Sequence, residues 1–302
     1  MQTKNAQAAK AKLKVTFCDR TLWKNYLSVL GVVGTAVTLL SFFITANDIG
    51  INKIILAVIF IAVIVAVFLR MWYSANHQDH AELRINNTTV KVVVGDIWAQ
   101  LGKGPDDRNG EVSVIGVNDF YDIIVDDRII AASSLHGQYI KKISQAGKLE
   151  QLNSVIENDP ILNKTGNHKT ITSRKAGRQT RYEIGSVVEF ESYVLAAFTR
   201  FDNDNKAWLT SEEYVSFWMK FWENIDGIYA GRTINIPLMG AGITRFKNGK
   251  PTKQELLEAM LWSMKISGFR NTYADKQVNF IIYQPDAQEI DFYHIQHNPI
   301  FN

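Results

Sequence analysis

Two long apolar stretches near the N-terminus constrain the fold of this chain more than any other feature. The stretch 26–46 contains no charged residue, and the stretch 54–69 is almost wholly Ile, Val, Leu, Ala and Phe. About 20 helical residues cover the roughly 30 Å hydrocarbon core of a bilayer. With Trp72 and Tyr73 at the interface, the second stretch also reaches this length. The sequence therefore predicts two membrane spans, at about 26–46 and 54–73.

The segment between these stretches, 47–52, is long enough only for a turn, so the two spans would form a hairpin with both termini on one side. The turn side offers Lys53 alone, whereas the other side carries most of the basic residues near the spans: Lys4, Lys10, Lys12, Lys14, Arg20, Lys24, Arg70 and Arg84. The positive-inside rule then predicts a two-pass protein of the cell inner membrane, with both termini and the following domain cytoplasmic. A signal peptide is the alternative for the first stretch, but no small-residue cleavage pattern follows it.

The predicted spans carry no charge well inside them, which argues against a proton relay or a classical transporter. Small residues recur on one face of the first span at Ser28, Gly31, Thr35 and Thr38. Helices pack closely through such faces. This face would contact either the second span of the same chain or another subunit, and the sequence leaves both open.

Composition excludes several classes of function. The formal net charge of the 302 residues is +3, and the basic residues gather before the first span instead of forming a stripe on the domain, so no nucleic-acid partner is expected. The single Cys18 excludes an intramolecular disulfide.

No metal site is predicted either. The histidine pairs His77/His80 and His294/His297 are far apart in the chain and have no thiols beside them. Asp202, Asp204 and Glu213 match three positions of a calcium-binding EF-hand loop, but Lys206 and Ala207 stand where an oxygen ligand and a glycine are needed. The acidic pairs Asp106-Asp107 and Asp126-Asp127 are interpreted as solvated turns.

The remainder of the chain alternates short β-branched runs with amphipathic stretches, which is typical of an α/β domain. We divide the chain into 1–80, with the basic N-terminus and hairpin, and 81–302, the α/β domain. The predicted strands are 90–94, 112–117, 128–133, 193–198, 233–237 and 278–283. An aromatic stripe predicts a helix over 211–225, and a capping box at Thr252 and Glu255 begins another.

A glycine-rich turn follows the predicted strand at 233–237, within the sequence Ile236 to Ile243. Successive backbone N–H groups in such a turn, close to a helix N-terminus, suit a phosphate group. A plain strand-to-helix turn is the alternative. Arg245 stands where a dinucleotide fingerprint needs a glycine, and Pro251 stands where a P-loop needs a hydroxyl residue, so neither motif is present.

Two other predicted strands end in polar residues, Asp96 and Asn118. Ligand-binding groups gather at the carboxyl ends of strands in open α/β sheets, so the loops that carry Asp96, Asn118 and Gly240 could face one crevice. The alternative is that Asp96 caps a helix and Asn118 belongs to a turn.

Four segments, in this order, resemble a macro domain, the fold that binds ADP-ribose and its derivatives. They are Val94-Gly95-Asp96-Ile97, Val114-Ile115-Gly116-Val117-Asn118, Tyr193 to Phe201, and Ile236 to Ile243 with Phe246. The resemblance implies a three-layer α/β/α domain with a mixed central sheet. It also implies that Asp96 holds the adenine amino group, that Asn118 lies near the distal ribose, and that Phe246 stacks on a ribose.

The sequence departs from that family at Ser133 to Gln138, in place of a glycine-rich stretch, and at an acidic turn, Asp119 to Asp127. These departures indicate a reshaped distal pocket and weigh against hydrolase activity. The predicted ligand-binding residues are Asp96, Ile97, Asn118, Ser134, His136, Gly240, Ala241, Gly242, Ile243 and Phe246, with no catalytic residue and no cofactor other than the ADP-ribose-derived ligand.

Two spans followed by such a domain resemble the membrane effector of Thoeris anti-phage systems. The resemblance implies that a TIR-domain partner consumes NAD and releases an ADP-ribose derivative, such as a histidine conjugate. Binding of this signal would drive homo-oligomeric assembly and disruption of membrane lipids. The alternatives are a membrane-tethered ADP-ribosyl hydrolase and a protein-binding adaptor with a degenerate pocket.

Overall fold

The computed structural model describes residues 14–43, 50, 52–99, 110–202, 204–229, 231–270 and 277–301. Contacts divide the chain into two compact units: the described residues up to Asp79 together with Asp291–His297, and His80–Ile290 together with the described residues from Asn298. Asp106-Asp107, the lysines before Lys14 and most of the predicted turn at 47–52 lie outside the described residues.

Seven helices and eleven strands are described. The helices are α1 (Arg20–Ser41), α2 (Lys53–Asn76), α3 (Leu135–Gln145), α4 (Leu149–Asn158), α5 (Ser211–Ile225), α6 (Lys253–Ser267) and α7 (Phe292–His297). The strands are β1 (His80–Ile85), β2 (Thr88–Val94), β3 (Glu111–Asn118), β4 (His168–Thr170), β5 (Thr180–Tyr182), β6 (Val187–Phe190), β7 (Tyr193–Phe201), β8 (Ala207–Leu209), β9 (Thr233–Pro237), β10 (Arg245–Phe246) and β11 (Gln277–Ile282). A short 3-10 helix, Gln284–Glu289, follows β11.

The smaller unit is built on α1 and α2, and the chain before α1 packs against the end of α2. Asn76 accepts hydrogen bonds from the backbone N–H groups of Lys14 and Val15, each at 3.0 Å, and the ring of Phe17 stacks on Trp72 at 4.4 Å. Asp19 then caps α1 by accepting from the Leu22 N–H at 2.8 Å. Aromatic stacking and a satisfied helix start thus fix the entry to α1.

One described helix, α2, is long and apolar enough to cross a membrane by length and composition, and this is weak evidence for membrane association. The predicted two-span hairpin is not shown. The first predicted span, 26–46, coincides with α1 only as far as Ser41, and 44–49 lie outside the described residues. On the small-residue face of α1, a Cβ added at Gly31 would meet no described atom within 4 Å, so this face is not packed against α2 at that point.

The larger unit contains a mixed nine-stranded sheet in the order β1-β2-β11-β9-β3-β7-β8-β10, with β6 also paired to β7. The five strands β2, β11, β9, β3 and β7 are parallel to one another, whereas β1 is antiparallel to β2, and both β6 and β8 are antiparallel to β7. The central parallel strands are buried on both faces, as their continuous apolar sequences require.

Alternate side chains of the central strands pack on opposite layers of helices. Ile115 and Leu195 join a buried cluster with residues of α3 and α4. On the other face, Phe198 of β7 contacts Phe217 of α5 edge to face, with ring centroids 4.9 Å apart. The sheet therefore lies between two helical layers, as a macro-like α/β fold requires.

Five of the six predicted strands are confirmed, but the one predicted at 128–133 is wrong. Ile129 and Ile130 are buried, yet this segment makes only an isolated bridge, between Val125 and Ile130. The carboxylate of Asp126 accepts from the Arg128 and Ile129 N–H groups at 3.0 and 2.7 Å, which holds the chain in a turn. Apolar burial alone therefore does not make this run a strand.

The insertion between α4 and β6 is attached to the end of β3 through a buried ion pair. The guanidinium of Arg174 donates to both carboxylate oxygens of Asp122, at 3.0 and 2.6 Å, and both side chains are 1% exposed. The same guanidinium lies 3.8 Å from the ring centre of Phe120 and donates to Asn205. One arginine therefore joins three segments that are far apart in the chain.

We expect Arg174→Met to lower the free energy of unfolding by about 3–5 kcal/mol, because Asp122 would remain buried without its counter-ion. The matched control is Arg200→Met, which removes the half-exposed contact with Glu213 and should change the free energy by less than about 1 kcal/mol. Urea unfolding of the full chain in detergent, followed by tryptophan fluorescence, measures both. Equal losses in the two variants would contradict the structural role given to Arg174.

Candidate functional site

A cavity of about 570 Å³ lies at the edge of the sheet where the parallel strands end. Its walls are the residues that follow β2, the ends of β3 and β7, the glycine-rich loop after β9 and the end of β11, together with Ala207 of β8 and residues between 129 and 138. Parallel strands bring their carboxyl ends to one edge, so the crevice predicted from strand order is present.

Nine of the ten predicted ligand-binding residues line this cavity: Asp96, Ile97, Asn118, Ser134, His136, Gly240, Ala241, Gly242 and Ile243. Phe246 does not line it. That ring is buried in β10, 5.9 Å from the ring of Tyr214, and it supports Gly240 from behind. Two aromatic residues that the sequence did not single out, Trp98 and Tyr283, do line the cavity, and Tyr283 is 61% exposed.

The glycine-rich loop presents unused backbone donors. No acceptor among the described residues takes a hydrogen bond from the N–H groups of Gly240, Ala241, Gly242 or Ile243. The start of the loop is held by the buried Tyr214 hydroxyl, whose single proton is shared between the carbonyl oxygens of Met239 at 3.1 Å and Leu256 at 3.2 Å. Four successive free N–H groups beside a cavity are suited to an anion.

Asp96 combines the two roles considered from the sequence. One carboxylate oxygen accepts from the Trp98 N–H at 3.0 Å and so caps the turn after β2. The side chain is exposed and lines the cavity, and its second oxygen has no partner among the described residues. This oxygen is available to accept a hydrogen bond from a ligand.

Asn118 is both a turn residue and a wall of the cavity. Its side-chain oxygen accepts from the N–H groups of Phe120 and Asp122, at 3.1 and 3.2 Å, and its side-chain nitrogen donates to the Asp122 carboxylate at 2.9 Å. Most of its hydrogen-bonding capacity is therefore used within its own loop. The neighbouring Asp119 is buried, and desolvation raises the pKa of its carboxyl to about 6.

Ser134 and His136 begin α3 at another wall of the cavity. The Ser134 hydroxyl caps the helix by accepting from the Gly137 N–H at 3.0 Å. His136 is buried, and its Nε2 lies 2.9 Å from the Asp122 carbonyl oxygen, which can only accept, so Nε2 carries the proton. Burial lowers the pKa of His136 to about 4, so the ring is neutral at pH 7 with Nδ1 unprotonated.

The described residues contain no group of three or more His, Cys, Asp or Glu side chains that could hold a metal ion. In the segment that resembled an EF-hand, one oxygen of Asp202 accepts from the Asp204 and Lys206 N–H groups, each at 2.9 Å, and the other accepts from the Trp208 indole. Both carboxylate oxygens of Asp202 are therefore occupied by N–H donors of the same turn.

A mixed sheet between two helical layers, with a cavity and a glycine-rich loop at the carboxyl edge of its parallel strands, defines a three-layer α/β domain with a candidate ligand site. Residues 90–283 match the family model described as Thoeris protein ThsA, Macro domain. The Thoeris protein ThsA of Bacillus amyloliquefaciens (strain Y2) is 32% identical over 287 residues, which cover 94% of this chain and 92% of the relative. The chain therefore belongs to the Thoeris ThsA family and is a Thoeris defence protein with a macro domain.

A solved structure of a macrodomain point mutant from Oceanobacillus iheyensis aligns with 73% of this chain and 93% of its own chain, at 12% identity and a TM-score of 0.38. This likeness is too distant to support any statement about the site.

Gly240 and Gly242 should respond differently to replacement by alanine. Gly240 has a φ of +85°, and an added Cβ would lie 3.3 Å from Tyr214, so Gly240→Ala should lower the free energy of unfolding by about 1–2 kcal/mol. An added Cβ at Gly242 meets no described atom within 4 Å, so Gly242→Ala should change the free energy of unfolding by less than about 0.5 kcal/mol. Thermal or urea unfolding distinguishes these results, and equal effects would refute the assigned loop conformation.

Proposed function

We propose that this protein is a ligand-sensing effector whose macro domain binds an ADP-ribose-derived signal in the cavity at the sheet edge. The observation that carries this proposal is the row of four free N–H groups at Gly240 to Ile243, beside the free carboxylate oxygen of Asp96. The first feature suits a pyrophosphate and the second suits an exocyclic amino group. Membership of the Thoeris ThsA family supports the same class of ligand.

In the proposed complex, Asp96 accepts a hydrogen bond from the adenine amino group, and the loop from Gly240 to Ile243 donates to the pyrophosphate. The distal end of the ligand lies near Asn118, Ser134 and His136. The ring that Phe246 was predicted to provide for stacking is better supplied by Tyr283, because Tyr283 is exposed at the cavity and Phe246 is buried behind Gly240.

The hydrolase alternative needs a general base that can activate water at pH 7. Among the described residues of the cavity, the ionisable groups are Asp96, His136, Tyr283 and Asp286. His136 is the candidate nearest the predicted distal ribose, but its pKa of about 4 makes Nδ1 a weak base. This property favours a sensor over a hydrolase.

The proposed output of the sensor is at the inner membrane. We propose that α2, together with the stretch 26–46, anchors the chain as a two-pass hairpin with the macro domain in the cytoplasm. A TIR-domain partner would supply the signal by consuming NAD. Ligand binding would shift the population toward an assembled homo-oligomer that disrupts lipids, which requires the ligand to bind that state more tightly than the inactive one.

The binding proposal is tested by calorimetry on the full chain in detergent, with ADP-ribose and its amino-acid conjugates, including the histidine conjugate. We expect saturable binding and recovery of the intact ligand. Asp96→Ala should weaken binding about tenfold, since it removes one hydrogen bond to a charged acceptor. The control is Asp96→Asn, because its side-chain oxygen can still accept from the Trp98 N–H and so preserve the turn after β2.

Turnover of the ligand would favour the hydrolase. If no compound binds, both the sensor and the hydrolase hypotheses are refuted, and the protein-binding adaptor is favoured.

The membrane proposal is tested by flotation of the full chain with vesicles of phosphatidylethanolamine and phosphatidylglycerol. Val63→Arg places a charge near the middle of α2, where it opposes insertion by about 2.5–3.5 kcal/mol, and should lower the membrane-bound fraction. Tyr73→Arg, near the end of the same helix, is the control, because a long side chain can reach the interface there. Equal flotation of the wild type and Val63→Arg would argue against α2 as a span.

A further inference from the structure

The side chain of Lys250 contacts two carbonyl groups of the glycine-rich loop. Its ammonium group donates to the carbonyl oxygens of Ala241 and Gly242, each at 2.7 Å. These two carbonyls belong to the same loop whose N–H groups are free. A lysine eight or nine residues later in the chain therefore contacts two successive peptide groups of the loop.

The planarity of the peptide group determines where the corresponding N–H groups point. In a trans peptide the C=O and N–H bonds are directed to opposite sides. Because the carbonyls of Ala241 and Gly242 are directed toward Lys250, the N–H groups of Gly242 and Ile243 are directed away from it. The two hydrogen bonds thus align two neighbouring donors in a single direction.

The charges around the cavity make this contact more important. The described lining residues include the carboxylates Asp96 and Asp286 but no lysine or arginine. Lys253, the next lysine along the chain, is engaged by Asp286 and Glu289, each at 2.7 Å. No carboxylate among the described residues forms an ion pair with Lys250. Its hydrogen bonds therefore go to the two loop carbonyls, and its positive charge polarises these peptide groups so that their N–H groups become stronger donors to an anion.

We propose that Lys250 is a positioning residue for phosphate binding, which acts through the loop carbonyls and not by direct contact with the ligand. This inference rests on the proposed function, because it assumes that the loop binds the phosphate groups of the signal. A neutral, non-donating side chain at position 250 leaves the Ala241 and Gly242 peptides free to rotate and removes the polarising charge.

The experiment compares four proteins, all as full chains in detergent: the wild type, Lys250→Met, Lys250→Arg and Lys247→Met. Lys247 is exposed in the same part of the chain, and no carbonyl of the loop accepts from its side chain in the described residues. We measure the Kd for ADP-ribose and its histidine conjugate, and the thermal unfolding midpoint.

We expect Lys250→Met to raise the Kd about tenfold, which corresponds to the loss of hydrogen bonds from a charged donor. The unfolding midpoint should not change, since Lys250 is exposed at the surface. Lys250→Arg keeps the charge and the donors and should restore binding, and Lys247→Met should bind as the wild type does.

Three outcomes would overturn the inference. If the wild type binds and Lys250→Met binds equally well, the positioning role is wrong while the proposed function stands. If Lys247→Met weakens binding as much as Lys250→Met, a general charge effect explains the loss. If the wild type binds neither compound, the proposed function fails and the role of Lys250 fails with it.

Discussion

The parallel pairing of β2, β11, β9, β3 and β7 is the constraint on which the rest of the larger unit depends. Parallel strands must each return by a crossover, so helices cover both faces and all carboxyl ends meet at one edge. The loops that leave this edge come from four distant parts of the chain. These loops meet at one cavity because the strands run in the same direction. The candidate ligand-binding groups can therefore lie far apart in the sequence.

Strand direction gathers the loops, and polar contacts then fix their conformations. Tyr214, Asn118 and Ser134 each use a side-chain hydrogen bond to hold the backbone beside the cavity. Behind Asn118, the pair Asp122 and Arg174 is almost fully removed from water. Burial of such a pair gives little net stability, but loss of either partner is severe. The pair therefore enforces one arrangement of the insertion against β3.

Much of the fold could be predicted because apolar residues recur at the regular spacing of helices and strands. The stripe from Tyr214 to Ile225 predicted α5 with its bounds, and the capping box at Thr252 and Glu255 predicted the start of α6. An apolar run without a regular spacing led to the wrong prediction of a strand at 128–133. Ile129 and Ile130 are in the core, but the carboxylate of Asp126 accepts from the local N–H groups and no strand forms. Strand propensity is therefore less informative where a side chain forms hydrogen bonds to backbone groups that a strand would need.

The geometry of the candidate site was predictable where it depends on the backbone and less so where it depends on long-range contacts. A Gly-x-Gly turn after a buried strand signals free N–H groups, but no local pattern relates Lys250 to the carbonyls of Ala241 and Gly242, or Arg174 to Asp122 52 residues earlier. Phe246 shows the same limit, since the family resemblance implied a ring that stacks on a ribose, whereas the ring is buried in β10 beside Tyr214.

The absence of basic side chains among the described lining residues has a consequence for selectivity. A site that binds phosphate by lysine or arginine gains affinity for any polyanion through charge alone. Here the candidate donors are backbone N–H groups in fixed directions, and the free carboxylate oxygen of Asp96 repels additional negative charge, whereas Asp286 is paired with Lys253. In the proposed complex, such a cavity would favour a ligand with a short pyrophosphate and hydrogen-bond donors at its ends over nucleotides with longer phosphate chains, which are abundant competitors in a cell. Under the proposed function, directional hydrogen bonds would therefore provide the selectivity that a sensor needs.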